Sequence, residues 1–140
     1  MDGAERRRRL TGARVARLAT VRPDGRPHVV PCCFVLEDDT VYSAVDGKPK
    51  TTLALQRLTN VAAHPAASLV VDHYEDDWSA LWWVRVDGAA RIVGPGAERR
   101  RALESLADKY PPYRVEPPPG AVLAVGRARA MPPPLMVPLP

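Results

Sequence analysis

Lysine occurs only three times in the 140 residues, and two of the three, Lys48 and Lys50, stand two apart in DGKPKTT at residues 46–52. Arginine carries nearly all the remaining positive charge. The pair falls where an apolar run ends and a helical pattern begins at Thr51. Backbone N–H groups, the helix dipole and two ammonium groups would meet there, an arrangement that suits a phosphate. The same residues also suit a solvated loop capped by Thr51. His28 carries the side chain whose ordinary pKa lies nearest neutrality, but it reads more simply as a partly exposed strand residue. Arg85 and Asp87 have the spacing of an ordinary same-face pair, worth little if exposed. Cys32 and Cys33 are adjacent, so in a strand their thiols would point to opposite faces, which argues against a metal pair or a CxxC redox motif. Neither a GxSxG motif nor a paired-histidine zinc motif occurs, so hydrolase and metalloenzyme chemistry lack support and no metal is expected.

A chain of 140 residues is most simply one domain, large enough to bury a core without disulfides. The net charge of +4 and pI near 9.4 come largely from Arg6, Arg7, Arg8 and Arg9, a run that reads as a solvated helix or tail. Arg99, Arg100 and Arg101 are balanced by Glu98, Glu104 and Asp108. Nucleic-acid binding is therefore not the favoured reading. No segment has a signal-peptide core, and no apolar run approaches the roughly 20 residues that span a bilayer, so a soluble, cytoplasmic protein is expected.

The elements that must position these residues follow from periodicity. A short helix at residues 2–10 precedes a strand at 15–21. Arg22-Pro23-Asp24-Gly25-Arg26 then supplies turn chemistry, with proline preset for one corner and glycine for a positive φ. A second strand is expected over 28–36, with Pro31 marking an edge or an interruption, and a third over 41–45. Ala54, Leu55, Leu58, Val61 and Ala62 lie on one face of a helix that closes at His64 and Pro65. Strands follow at 68–73 and 81–93, the latter broken by Gly94, Pro95 and Gly96. Trp82 and Trp83, neighbours in that strand, must face opposite ways. Ala102, Leu103, Leu106, Ala107 and Tyr110 share a face of another helix, stopped by Pro111 and Pro112. Residues 111–119 read as a proline-rich connector, and a sixth strand begins over 121–125. The expectation is a mainly β protein with inserted helices, a small closed or nearly closed antiparallel barrel in residues 1–125, and a proline-rich tail over 126–140.

With these pieces placed, RVARLATVRPDGRPHVVP at residues 14–31 resembles the opening of the split-barrel flavin-binding superfamily that includes pyridoxamine 5'-phosphate oxidase. The strand at 41–45 with its lysine-bearing loop, NVAAHPAASLVVD at 60–72 and WVRVDGAARIV at 83–93 resemble later motifs in order. GKPK, DHYEDDW, LWWVRVDG and KYPPYR resemble the actinobacterial branch associated with the deazaflavin coenzyme F420. The resemblance implies a six-stranded antiparallel split β-barrel working as a homodimer with two cofactors at the interface. It implies Lys50, with Lys48 and Thr51, as phosphate ligands; His28, Val29, Val30 and Pro31 along the ring system; and Tyr42, Ser43 and Ala44 approaching from the third strand. Trp83 stands where the family often places a polar residue that reaches the cofactor across the interface, and here would offer stacking area instead. No tryptophan follows Trp83, whereas family members usually end in a strand bearing one.

The function so implied is an F420-dependent oxidoreductase that passes hydride between reduced F420 and a small organic acceptor, the chemistry residing in the cofactor. FMN is the alternative cofactor, in an enzyme like pyridoxamine 5'-phosphate oxidase. A carrier or sensor that binds F420, flavin or haem without turnover is the other. Arg14, Arg22 and Arg26 offer attraction for the acidic tail of F420.

Overall fold

The structure is a computed structural model that describes residues 1–45 and 52–126. Its first hairpin forms as the spacing predicts. Ala16, Leu18 and Thr20 of strand β1 (Ala16–Val21) are buried on one face, and β2 (Pro27–Cys32) pairs with it antiparallel, setting His28 opposite Thr20 and Cys32 opposite Ala16. Gly25 takes φ +91° in the turn, which closes through Gly25 N–H to Arg22 C=O and Arg22 N–H to Arg26 C=O, both at 2.8 Å. Only a residue without Cβ takes that φ cheaply.

The expected second strand over 28–36 is two strands. The ladder stops at Cys32 and restarts as β3 (Val35–Glu37), which pairs with β4 (Thr40–Ala44). The remaining elements are α1 (Gly3–Gly12), α2 (Thr52–Ala63), β5 (Ala66–His73), a single 3-10 turn at Trp78–Ala80, β6 (Trp82–Val93), α3 (Ala97–Lys109), α4 (Pro111–Val115) and β7 (Val122–Gly126). One antiparallel sheet runs β2-β1-β5-β6-β7-β4-β3. Its two edge strands are joined by Cys33 and Phe34 alone, so the sheet curls until its edges nearly meet. They do not pair. The result is a split barrel of seven strands, open along that seam, rather than the six-stranded barrel expected from the sequence. Pro31 sits on the edge strand, where a missing N–H breaks no ladder.

At the seam, Phe34 is fully buried, and side chains take up the backbone groups that leave the ladder. Phe34 N–H donates to Tyr110 Oη at 3.1 Å, Lys109 Nζ donates to Phe34 C=O at 3.0 Å, and Ser43 Oγ donates to Cys33 C=O at 2.8 Å. The Lys109 ammonium also lies 3.9 Å from the centre of the Phe34 ring. Burial pulls its pKa down to about 8.

Two apolar clusters flank the sheet. Leu18, Leu69, Val84, Val41, Leu123 and Phe34 fill the barrel, with Leu10 of α1 added from one end. Tyr42, Val122, Ala124, Ala102, Leu106 and Tyr110 form a second layer under α3 and α4. Strand β7 lies between β6 and β4 with both faces covered, which is why VLAV is apolar without alternation. Pro111 and Pro112 do end α3, but they also begin α4, since proline lacks only an N–H that the first turn leaves unused. Trp82 packs against the barrel core under the Arg9 guanidinium, and Trp83 faces the outer side of the sheet. Residues 127–140 of the expected tail lie outside the described residues.

Where β6 passes β7, a Cβ on Gly88 would come 2.0 Å from the Gly126 carbonyl oxygen and 3.2 Å from Val125 Cγ1. The backbones must separate to admit even a methyl group. Gly88→Ala is therefore expected to lower unfolding free energy by about 1–3 kcal/mol, the order for overpacking, measured by urea denaturation with an unchanged m-value.

Candidate functional site

The seam between the edge strands opens into a cavity of about 190 Å³, lined by Val15, Pro31, Cys32, Cys33, Ala44, Arg57 and Tyr113. Five elements or their ends contribute: the approach to β1, the end of β2, the end of β4, the middle of α2, and α4. The chemistry of the lining is lopsided. Among the described residues Arg57 is its only charged side chain, and Arg57 Nε is buried with no hydrogen-bond partner among them. A guanidinium offers five donors and no acceptor, and burying one of them unpaired is costly. The guanidinium at the wall makes the cavity attractive to a phosphate, a carboxylate or a ring carbonyl. The residues present therefore fit an anionic or carbonyl-bearing cofactor.

His28 stands on β2, opposite Thr20 of β1. Only 6 % of its surface is exposed, and neither Nδ1 nor Nε2 has a partner among the described residues. Burial, then the positive charges of Arg22 and Arg57, hold the imidazole below its ordinary pKa, so it is neutral near pH 7. Its cross-strand neighbour Thr20 accepts a hydrogen bond from Asn60 Nδ2 at 3.0 Å, and Asn60 Oδ1 accepts one from Gln56 Nε2 at 2.7 Å. This buried polar chain runs along the side of α2 beside Arg57.

The residues expected at a site are not gathered at one spot. Pro31 and Ala44 line the cavity, while His28 and Val30 face the barrel interior. Ser43 turns to the seam. Tyr42 points the other way, toward α3, where its hydroxyl donates to Glu98 Oε2 at 2.6 Å. Val29 and Trp83 stand on the outer face of the sheet, Val29 61 % exposed and Trp83 with a buried Nε1 that has no partner among the described residues. Arg85 and Asp87 pair there at 3.1 Å, and Ser68 Oγ donates to Asp87 Oδ1 at 2.6 Å. Lys48, Lys50 and Thr51 lie outside the described residues. Of the arginines expected to draw an acidic tail, Arg14 is engaged with the Lys109 carbonyl at 2.9 Å and the face of Tyr110, and Arg26 with Asp24 at 2.8 Å. Arg22 remains close enough to act on His28.

Arg57, Val15, Cys32, Cys33 and Tyr113 were not anticipated as site residues. For Arg57 a signal did exist: in TLALQRLTNVAA it is the single charge, beside Gln56 and in line with Asn60, a narrow polar stripe rather than a solvated face. Cys33 was assigned to a strand with its thiol opposite Cys32. It lies beyond the end of β2; both residues line the cavity, but Cys32 packs in the barrel cluster and Cys33 against the layer under α3, both free, with burial pushing the Cys32 thiol upward.

The pyridoxamine 5'-phosphate oxidase family model matches residues 3–130. Among solved structures, a conserved hypothetical protein from Mycobacterium tuberculosis superposes with a TM-score of 0.74 at 23% identity, covering 92% of this chain and 81% of its own. The heme storage protein of Vibrio cholerae gives 0.70 at 16% identity, with 92% and 91% covered. A FAD-binding protein from Mesorhizobium loti gives 0.68 at 23% identity, with 92% and 91% covered. At these identities the likeness is one of fold. No curated protein matches the sequence at a comparable level.

Tyr42 thus serves the layer under α3 within this chain. Hydrogen bonds from Arg91 and then from Tyr42 hold the Glu98 carboxyl at about 2. A carboxylate depressed in the fold adds stability above its unfolded pKa and loses it as pH falls toward the folded value. In Tyr42→Phe, Glu98 should titrate closer to the ordinary carboxylate range, and acid unfolding should begin at higher pH. Carbon-detected NMR titration of the Glu98 carboxyl reads the first, and circular dichroism the second.

Proposed function

This chain belongs to the pyridoxamine 5'-phosphate oxidase family, and on that premise we propose that it is a cytoplasmic oxidoreductase using coenzyme F420 to reduce a small organic acceptor. The observation that carries the reading is the Arg57 guanidinium in the wall of the seam cavity, the one charged side chain among the described lining residues and a cation suited to an acidic cofactor. The motifs GKPK, DHYEDDW and LWWVRVDG support F420 over FMN. FAD-binding proteins from Mesorhizobium loti and Mycobacterium smegmatis share the fold, which supports a flavin-like ring as occupant.

When bound, the cofactor supplies the hydride, and the protein's part is to hold it and keep water out. Arg57 would take an acidic or carbonyl oxygen, Pro31 and Ala44 would face the ring, and Lys48, Lys50 and Thr51 would bind phosphate. The cavity in one chain, about 190 Å³, is below the roughly 300–1,000 Å³ usual for small-molecule sites. A second copy would supply the missing walls. The outer sheet face, with exposed Val29 and with Trp83, is the surface suited to meet it. Each homodimer would then hold two cofactors.

Titration of the purified protein with F420, FMN and haem, read by the bound chromophore, tests the reading. F420 should bind most tightly. Arg57→Ala should weaken it about tenfold or more, the order for a hydrogen bond to a charged group, and Lys50→Ala should weaken it independently. Preference for FMN would make the protein an oxidase of the flavin type, and preference for haem without turnover would make it a carrier. Sedimentation of the loaded protein should give a dimer.

A further inference from the structure

Tyr113 is the one aromatic side chain among the described residues that line the cavity, and a short helix carries it there. Pro111 and Pro112 open α4 directly after α3, and its first turn closes through Tyr113 N–H to Tyr110 C=O at 2.9 Å. Tyr113 is the single buried side chain of that helix, 9 % exposed, whereas Val115 two residues on is 89 % exposed. Arg114 fastens the helix down. Its Nε donates to Ala107 C=O at 2.8 Å and its Nη2 to Asp108 C=O at 2.6 Å, carbonyls that the end of α3 leaves without intrahelical partners. The Tyr113 ring meets Tyr110 edge to face, centroids 5.8 Å apart and planes at 63°. Tyr110 is itself tied to the seam, its hydroxyl 3.1 Å from the Phe34 amide nitrogen and 2.9 Å from Arg14 C=O. Backbone and ring of Tyr113 are thus fixed by α3, and the residue still lines the cavity.

We propose that Tyr113 is the specificity-determining wall of the cavity, the surface against which a planar ring packs, so that the site selects flat, ring-bearing ligands of the flavin class over other anions. The inference rests on the reading of the cavity as a cofactor site and deepens it by dividing the labour between two residues. Arg57, from α2, attracts any acidic oxygen, and a guanidinium by itself does not tell the phosphate of a flavin from a phosphate on any other carrier. The remaining described lining residues, Val15, Pro31, Cys32, Cys33 and Ala44, are small and have no π face. Discrimination for a ring therefore falls to Tyr113. An aromatic side chain buries a large area, and a second ring packed on it in an offset or edge-on arrangement gains affinity beyond that area. Because the wall is already anchored through Arg114 and Tyr110, little freedom is lost when a ligand arrives, which is how preorganisation strengthens binding.

Calorimetric titration with FMN, with F420 and with ribitol 5-phosphate, the side chain of FMN without its ring, compares wild type, Tyr113→Leu and Tyr113→Phe. Tyr113→Leu should weaken whichever of FMN and F420 binds by about tenfold or more and leave ribitol 5-phosphate unchanged, while Tyr113→Phe should keep the wild-type affinities. Failure of ribitol 5-phosphate to bind a wild type that takes up FMN or F420 supports the inference, since the affinity then resides in the ring. Fluorescence lifetime gives a readout that a merely structural tyrosine would not move. A phenol packed on an excited flavin or deazaflavin ring quenches it by donating an electron and a benzene ring does not, so the lifetime of the bound ligand should lengthen in Tyr113→Phe. An unchanged lifetime in Tyr113→Phe, undiminished ring binding in Tyr113→Leu, or equal weakening of the ring-bearing ligand and ribitol 5-phosphate overturns the inference and leaves the cofactor site standing. Absence of binding by both FMN and F420 to wild type overturns both.

Discussion

Phe34 leaves the β-ladder inside the protein, and its N–H and carbonyl must be satisfied there or cost the fold several kcal/mol. Two consecutive residues at the end of α3 meet that demand. Tyr110 Oη accepts from the Phe34 amide, and Lys109 Nζ supplies its carbonyl. The tyrosine has a single proton, and with Phe34 C=O already served by Lys109 it can spend it on Arg14 C=O at 2.9 Å, tying in the approach to β1. One helix end thereby holds the start of the first strand and the break after the second. That arrangement lets two strands adjacent in sequence lie at opposite edges of one sheet.

The seam and the cavity have the same origin. A barrel closed by β2–β3 pairing would have no opening between Pro31 and Ala44, and Cys33 would lie in a ladder instead of at a cavity wall. The fold gives up some ladder hydrogen bonds for a gap. Arg57 from α2 reaches that gap, so a polar stripe of an otherwise apolar helix face borders the opening. Buried polar groups of this kind raise the stakes of occupancy, because an unpaired donor in a low-dielectric setting gains most when a partner arrives.

Much of the fold was readable before the coordinates, for reasons that differ by element. The RPDGR turn was legible because proline and glycine have narrow conformational meanings, and Gly25 does take a positive φ. The helices α2 and α3 were legible from the spacing of their apolar residues. The break at Cys33 and Phe34 was not, because both residues are apolar and continue the strand pattern, while the groups that make the break tolerable, Lys109 and Tyr110, lie some 75 positions away. The prolines after α3 read as a stop, since nothing local says that a stop can also be a start. The site was less legible than the fold. Pro31 and Ala44 line the cavity, the Tyr42 hydroxyl bonds to Glu98, and Arg57 was not among the residues singled out.

The strand that completes the sheet is β7, and it stands between β6 and β4 rather than at an edge. During synthesis, residues 40–93 leave the ribosome well before residues 122–126 can join them. Throughout that interval β4 and β6 each carry an open row of hydrogen-bonding groups facing the place β7 will take, the kind of edge that recruits other chains. Nor can the barrel core close early, because Leu123 and Val125 are part of it. The run β2-β1-β5-β6 can pair before β7 emerges, but the core closes only with the last strand, and until then the waiting edges favour association between chains.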